Sequence, residues 1–367
     1  MDSHVYAMLQ EALSGGPPYE PSSVIQVPAS FTPPFQHVDR NRGSSLGPFL
    51  DTLPLEIQHE ILSYLDLKSL SQLARVSVKG EAIVTSLLPL KILAREAGNA
   101  CGIIVRTGIQ HSVAKLHAAL YSEKCVTCGR YGRFLCLLTA QRCCYQCLLS
   151  RLSLQLFSLA DAKEAFALTD AQLHQLHTLH CIPGTYPHPR WGDALERRGS
   201  PRDWSLPLVD VGSAKELALQ IHESMELLDE EHPFDFDNAP DVYESNRLFC
   251  LYQYRHAPLG LLENELLPGL DCHDYSQAAL FGGAGVVPLP WMRPDGVVEH
   301  GLYCRRCADA LRQCLRREID AEYLARLVPS GPKRPGFYLQ RLKCRAYSVD
   351  GFVEHVKRCH LPELIDL

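Results

Sequence analysis

The sequence predicts a mainly helical α+β fold with a small β element, on three observations. From Asp51 to about Leu120, glycine and proline are sparse and apolar residues recur at helical spacing. Between 276 and 303, short apolar runs flank Arg293-Pro294-Asp295-Gly296, a turn signal that predicts a hairpin or irregular β element. Paired cysteines fall in two places, near 125–147 and 304–360, and would pin chain that otherwise lacks regular patterning.

Hydrophobic content is 46% and charged content 21%, ordinary globular usage, so most of the chain can bury a core. At 367 residues it exceeds one small module. A formal net charge of −6 weighs against a nucleic-acid binder, which usually presents a basic face. The first residues lack a basic start followed by an apolar run, so no signal peptide is expected. No apolar run is long enough to span a membrane. The 15 cysteines are therefore expected in a reducing compartment, cytoplasm or nucleus, where pairs of them read as metal ligands rather than disulfides.

Residues 1–48 are rich in Pro, Ser and Gly (SGGPPYEPSS, PASFTPPF, NRGSSLGP) and predict a mostly disordered arm with no specific role. Leu152, Leu154, Leu156 and the run LADAKEAFALTDAQLHQLHTLH predict a helical stretch, with Thr169 or Asp170 as a cap. CIPGTYPHPRWG breaks it. A helix is expected over 213–229 and a loop over 229–242. No fixed-period repeat is present.

The segment from Leu53 to about Leu90 carries the first motif. Pro54 suits a first helical turn, where its missing N–H costs nothing, and Glu56 there opposes the positive end of the dipole. Ile57, Ile61, Tyr64 and Leu65 fall on one face. Asp66 can cap a second helix, on which Leu70, Leu73 and Val76 form a stripe. Such a short helical unit has apolar surface left over for a partner.

This segment, within 49–95, resembles the F-box: a Leu-Pro start, an acidic residue shortly after, the I…IL..L spacing, "LD" between helices and "L..L..VS" in the second. The resemblance implies docking on the linker subunit of an SCF-type ubiquitin ligase, and through it on a cullin. Carried over, Leu53, Pro54, Ile57, Ile61, Leu65 and Leu70 would make that contact. Many F-boxes have a Trp shortly after the "VS" pair; here Lys79-Gly80-Glu81 stands instead.

The second motif is CVTCGRYGRFLCLLTAQRCCYQCL. Cys125 and Cys128 form one CxxC, Cys144 and Cys147 another. Two such knuckles supply four soft ligands at tetrahedral corners, the pattern of structural Zn2+. Gly129 helps the first knuckle turn back. Cys143 competes with Cys144 as third ligand, the CxxC spacing favouring Cys144, and Cys136 reads as core. Four thiolates leave no open position, so the site would be structural rather than catalytic. A six-cysteine DNA-binding cluster fits the spacing poorly, and a RING lacks its interleaved ligands.

The third motif joins Cys304 and Cys307, in GLYCRRC, to His355 and Cys359, which stand one turn apart on a helix that Ser348 can cap. His360 is the alternative fourth ligand and Cys344 a weaker one. Together they would hold a second structural Zn2+. The order of F-box, RCCxxCL, IPGTY, AKELALQIH, GLYCRRC and F..H…C resembles fungal F-box proteins with zinc-finger-like elements. That resemblance implies an adaptor whose Cys-rich region, 96–367, holds an unknown protein substrate.

His174, His177 and His180 stand three apart on the expected helix and read as surface or packed residues. Cys272-His273 reads as structural. No GxSxG, phosphate-binding Gly loop, HExxH or paired-carboxylate motif is present, so an enzyme is not expected. The alternatives are a zinc-dependent nucleic-acid-binding regulator and an F-box protein acting outside the ligase.

Overall fold

The computed structural model describes residues 14–15, 43–180, 207–240, 242–259, 284–328 and 335–359. Seven helices follow one another: α1 (Pro48–Thr52), α2 (Leu55–Ser63), α3 (Leu67–Val76), α4 (Val78–Ser86), α5 (Leu88–Glu96), α6 (Gly98–Thr107) and α7 (Val113–Tyr121). Their boundaries are written in the local sequence. The Asp66 carboxylate accepts from the N–H groups of Lys68 and Ser69 and so starts α3. Ser77 starts α4 by accepting from Gly80, and Ser112 starts α7 by accepting from Lys115. Gly108, at φ 78°, ends α6 in the left-handed region that favours glycine.

The Lys79-Gly80-Glu81 departure has a packing reason. A Cβ on Gly80 would lie 2.6 Å from the Leu73 carbonyl oxygen, so only glycine lets α4 approach α3 this closely. Lys79 pairs with Asp51 at 2.7 Å and ties α4 to α1. Lys79 and Ser45, both bonded to the Asp51 carboxylate, hold its pKa down at about 2.

The core beneath these helices, with Leu70, Val84, Leu93 and Leu116, runs on without a seam into Leu135, Leu137, Val287 and Leu289. These last four come from a three-stranded sheet and its flanks. Strand β2 (Phe134–Cys136) lies between β3 (Arg142–Cys143) and β7 (Val286–Pro288), with Leu135 opposite Val287. Helix α8 (Tyr145–Ser150) follows β3. A second antiparallel sheet places β6 (Pro207–Asp210) between β4 (Leu156–Ser158) and β5 (Thr178–His180). Helices α9 (Leu159–Phe166), α10 (Asp170–Leu173), α11 (Val211–His222), α12 (Met225–Glu231) and α13 (Val242–His256) accompany that sheet. Arg255 fastens α13 by donating to Asp229 at 2.6 Å and to the Ala165 carbonyl at 2.7 Å.

The expected helical stretch over 152–180 is only partly helical. Leu156–Ser158 and Thr178–His180 are strands, because β6 supplies a partner from elsewhere in the chain. Thr169, not Asp170, is the N-cap of α10, and it forms a full capping box with Gln172. The helix expected over 213–229 is broken at Glu223, φ 64°. The expected loop from 229 starts later, after α12, and α13 was not anticipated.

The expected turn forms at Arg293–Val297, between β8 (Trp291–Met292) and β9 (Val298–Glu299). Arg293 N–H donates to Val297 at 2.8 Å. Beyond it lie β10 (Tyr303–Cys304), α14 (Arg305–Arg316), α15 (Ala321–Leu327), α16 (Pro335–Lys343) and α17 (Val349–Cys359). Most of the expected disordered arm falls outside the described residues. Two of its residues form β1 (Ser14–Gly15), which pairs with β10, Ser14 opposite Cys304. Gly43 accepts from Val78 N–H at the start of α4. The described parts of the arm are thus folded onto the rest.

Candidate functional site

The first site is a surface. Pro54 is the N-cap of α2 and Glu56 sits in its first turn. Gln58 donates to the carbonyls of Leu50 and Leu53, both at 2.8 Å, and fixes the turn that presents Leu53 and Pro54. Ile57, Ile61 and Tyr64 follow at helical spacing, so they share a face. They are 48%, 39% and 68% exposed. Leu53 and Leu65 are half-buried at the margin. An apolar stripe of this kind, left open to water, marks an interaction surface.

Leu70 does not belong to that face. It is fully buried between the helices, so its side chain packs the module and offers nothing to a partner. Val76, expected on one stripe with Leu70 and Leu73, is exposed at the end of α3. Tyr64, seen in the sequence as part of the apolar face but not as a docking residue, is its most exposed member.

The second site gathers the sulfurs of Cys125, Cys128, Cys144 and Cys147 within 4.8 Å of one another. The first knuckle turns tightly. Cys125 N–H donates to Arg130, Gly129 N–H donates back to Cys125, and Gly129 has φ 68°. The second is a helix start: Cys144 caps α8, its sulfur accepting from Cys147 N–H at 3.5 Å. Cys128 and Cys144 sulfurs stand 3.6 Å apart. Thiolates about 2.3 Å from a shared tetrahedral ion lie roughly 3.8 Å apart, whereas disulfide sulfurs lie about 2.05 Å apart. The spacing therefore fits a metal and excludes a disulfide.

The electrostatics agree. Hydrogen bonds from Cys128, Cys144 and Cys147 hold the Cys125 thiol far below its usual range, while the same contacts push Cys144 up. Cys128 is lowered as well, to about 6, against an opposing hydrogen bond with Cys125. A cation at the centre of the four sulfurs would favour their deprotonated form.

Cys143 is not in the group. It lies on β3 opposite Phe134, and burial raises its pKa. Cys136 is buried on β2. On β3, next to Cys143, sits a residue the sequence did not single out. Arg142 is 2% exposed and donates to the carbonyls of Ala119 and Gly132, each at 2.7 Å, and of Leu289 at 2.9 Å, as well as to Leu120 and Pro290.

The third site brings together Cys304, Cys307, His355 and Cys359, again within 4.8 Å. Cys304 and Cys359 sulfurs are 3.8 Å apart, Cys307 and Cys359 3.6 Å, and Cys307 lies 3.3 Å from His355 Nε2. Cys304 ends β10, Cys307 lies in the first turn of α14, and α17 carries the other two. Ser348 and the buried Glu299 hold the start of α17, accepting from Gly351 and Val349 N–H at 3.4 and 2.9 Å.

With Nε2 facing the sulfurs, His355 Nδ1–H donates to the Tyr347 hydroxyl at 3.2 Å, and the two rings stack at 4.5 Å. Such an outer contact would fix the imidazole if it held a metal. Cys344 stands apart, accepting from Gln340, and His360 lies outside the described residues.

The histidine trio is not a helical stripe: α10 ends at Leu173, and His180 lies on β5. All three are exposed. Cys272-His273 lies outside the described residues. Among the described residues, no helix is long and apolar enough to cross a membrane.

Residues 50–93 match the family profile of the F-box domain. The chain therefore carries an F-box, and the exposed stripe on α2 lies within the matched segment. No curated protein and no solved structure matches the chain.

Proposed function

We propose that this chain is a substrate-adaptor subunit of an SCF-type cullin ubiquitin ligase. The observation that carries the reading is the open apolar face of Ile57, Ile61 and Tyr64 inside the segment that matches the F-box domain. Leu53, Pro54, Ile57, Ile61 and Leu65 dock on the linker subunit, which binds the cullin. The Cys-rich remainder holds a protein substrate. The adaptor itself does no bond chemistry: it raises the effective concentration of target lysines near the ubiquitin-charged enzyme.

Two structural Zn2+ ions pin that remainder, one on Cys125, Cys128, Cys144 and Cys147, the other on Cys304, Cys307, His355 and Cys359. The sulfur spacings and the all-Cys and Cys3His donor sets support zinc, and full coordination leaves no open position for catalysis. Paired cysteines set up for metal rather than disulfides support a reducing setting, cytoplasm or nucleus. The order of the Cys groups behind the F-box resembles fungal members.

The test is a pull-down of tagged protein from its own cells beside Leu53→Ala/Pro54→Ala, read by mass spectrometry. Linker and cullin with the wild type, and neither with the variant, is the expected result. Their absence from the wild-type sample overturns the reading. Linker without cullin would mean that the chain acts outside the ligase.

A further inference from the structure

Between α9, the end of α12 and α13, a cleft of about 560 Å³ opens to water. Ala167, Pro233, Phe234, Pro240 and Leu248 make its apolar wall. The volume suits one or two side chains of a bound peptide. An aromatic rim adjoins it. The Phe234 ring meets Phe236 and Tyr252 at centroid separations of 5.9 and 6.0 Å, and those two lie 6.1 Å apart. Phe249 and Tyr252 stand three apart on α13 and so share a side of that helix. Phe236, Phe249 and Tyr252 are all exposed. Aromatic surface gathered in one place and left in water marks a docking surface.

The charge here is one-sided. From Glu223 to Asp237 the chain has seven acidic residues and no lysine or arginine. The cations in the cleft walls are already committed: Lys163 pairs with Asp170 at 3.0 Å, and the buried Arg255 with Asp229 at 2.6 Å. Arg247, on α13, is divided among Asp161, Glu164 and Glu244. Two wall carboxylates, Glu231 and Asp235, have no lysine or arginine against them among the described residues. Asp235 accepts only from the backbone N–H and side-chain amide of Asn238. Glu231 meets only a ring nitrogen of His222, 3.9 Å away. The fold itself shows what these rings accept: the Arg255 guanidinium lies over Phe234, 4.1 Å from its centroid.

We propose that this cleft and its aromatic rim dock a basic segment of a partner protein, whose arginine or lysine side chains meet Glu231 and Asp235. A bare metal ion would leave the apolar wall and the rim uncovered. An arginine or lysine brings an aliphatic stem for the rings as well as a charge for the carboxylates. The surface shares no residue with the stripe of Ile57, Ile61 and Tyr64. On the adaptor reading, on which this assignment rests, the basic segment therefore belongs to the substrate, and linker and substrate are held at separate places.

The test uses the full chain, zinc-loaded, at constant ionic strength. The probe is a short fluorescein-labelled peptide repeating Arg-Leu-Gly-Ser, beside a twin with glutamate for arginine, followed by fluorescence anisotropy. Saturable binding of the arginine peptide alone is expected. Affinity should fall at least tenfold in Glu231→Gln/Asp235→Asn and roughly threefold in Tyr252→Ala, which loses a ring and no charge. Glu216→Gln/Glu322→Gln removes as much exposed negative charge elsewhere and should bind as the wild type does.

No saturable binding, binding of the glutamate twin, or equal weakening in the Glu216/Glu322 pair overturns the proposal. So does displacement of the peptide by millimolar calcium chloride, which would make this an ion site. If the Glu231/Asp235 variant loses its folded circular-dichroism signal, Tyr252→Ala decides, and unchanged affinity there overturns the proposal. Linker capture by the same preparations separates the two readings. No peptide binding by a wild type that captures linker sinks this proposal alone. Peptide binding without linker capture sinks the adaptor reading and leaves the docking surface standing.

Discussion

Arg142 donates to the main-chain carbonyl of Leu289 at 2.9 Å, joining positions 147 residues apart. The arginine immediately precedes Cys143 and Cys144, and Leu289 immediately follows β7. The first thiolate cluster is thereby stitched to the strand and hairpin that lead to the second. The five carbonyls it serves all belong to buried residues, and the Ala119 carbonyl also accepts from Ser122 N–H.

Replacing Arg142 by lysine should therefore be costly. A lysine ammonium offers three donors on a flexible stem and cannot reproduce a planar fork. Each buried carbonyl left without a partner costs about 1–3 kcal/mol. Arg142→Lys should lower unfolding stability by about 3 kcal/mol or more, measured by urea denaturation. A change below about 0.5 kcal/mol would show that the carbonyls find other partners.

The apolar face of α2 and the buried Leu70 should separate cleanly in experiment. Ile57→Asp and Ile61→Asp change exposed positions, so linker capture should fall at least tenfold while the melting temperature stays within a few degrees. Leu70→Ala removes a fully buried side chain and should cost about 2–5 kcal/mol. Unfolding by Ile57→Asp comparable to that of Leu70→Ala would mean that this face is internal.

Metal content should divide between the clusters. The protein should carry about two zinc ions by plasma emission, and Cys125→Ser/Cys128→Ser or Cys304→Ser/Cys307→Ser should each remove about one. Cys144→Ser should lose the first ion, and Cys143→Ser should not, since only Cys144 joins the group. Protons compete with the ion for thiolate sulfur, so both ions should be held more weakly as pH falls. Retention of both by the double-serine variants would count against zinc at these residues.

Tyr347→Phe isolates the outer support of His355. The stacked ring remains and the hydroxyl is lost. Affinity at the second cluster should drop about 10- to 100-fold, read by competition with a chromogenic chelator, with the first cluster unaffected. Equal affinity in wild type and variant would show that the stacking alone orients the imidazole.

What the sequence made legible is what local rules control. Asp66, Thr169 and Ser348 could be read as caps because a cap acts within one turn. The CxxC pairs were legible because a knuckle is a local turn. Leu156–Ser158 was read as helix because leucines at short spacing suit either state; β6, from across the chain, decides it. Leu70 and Ile61 are alike in sequence, and only the packing of α3 against its neighbours sends one inward and leaves the other in water. Arg142 gave no signal, since a buried guanidinium served by carbonyls has no pattern of its own.

The pairing of β2 with β7 sets an order of events during synthesis. Helices α2 to α7 find most of their contacts among near neighbours in sequence, and such contacts form fast. Residues 134–136 must wait for 286–288 to leave the ribosome, and Cys304 and Cys307 must wait for α17. A growing chain thus exposes the apolar stripe of α2 while its Cys-rich half is still a tethered polymer. On the adaptor reading proposed above, a linker subunit present at the ribosome would meet that stripe first, and so would join the chain before any substrate could.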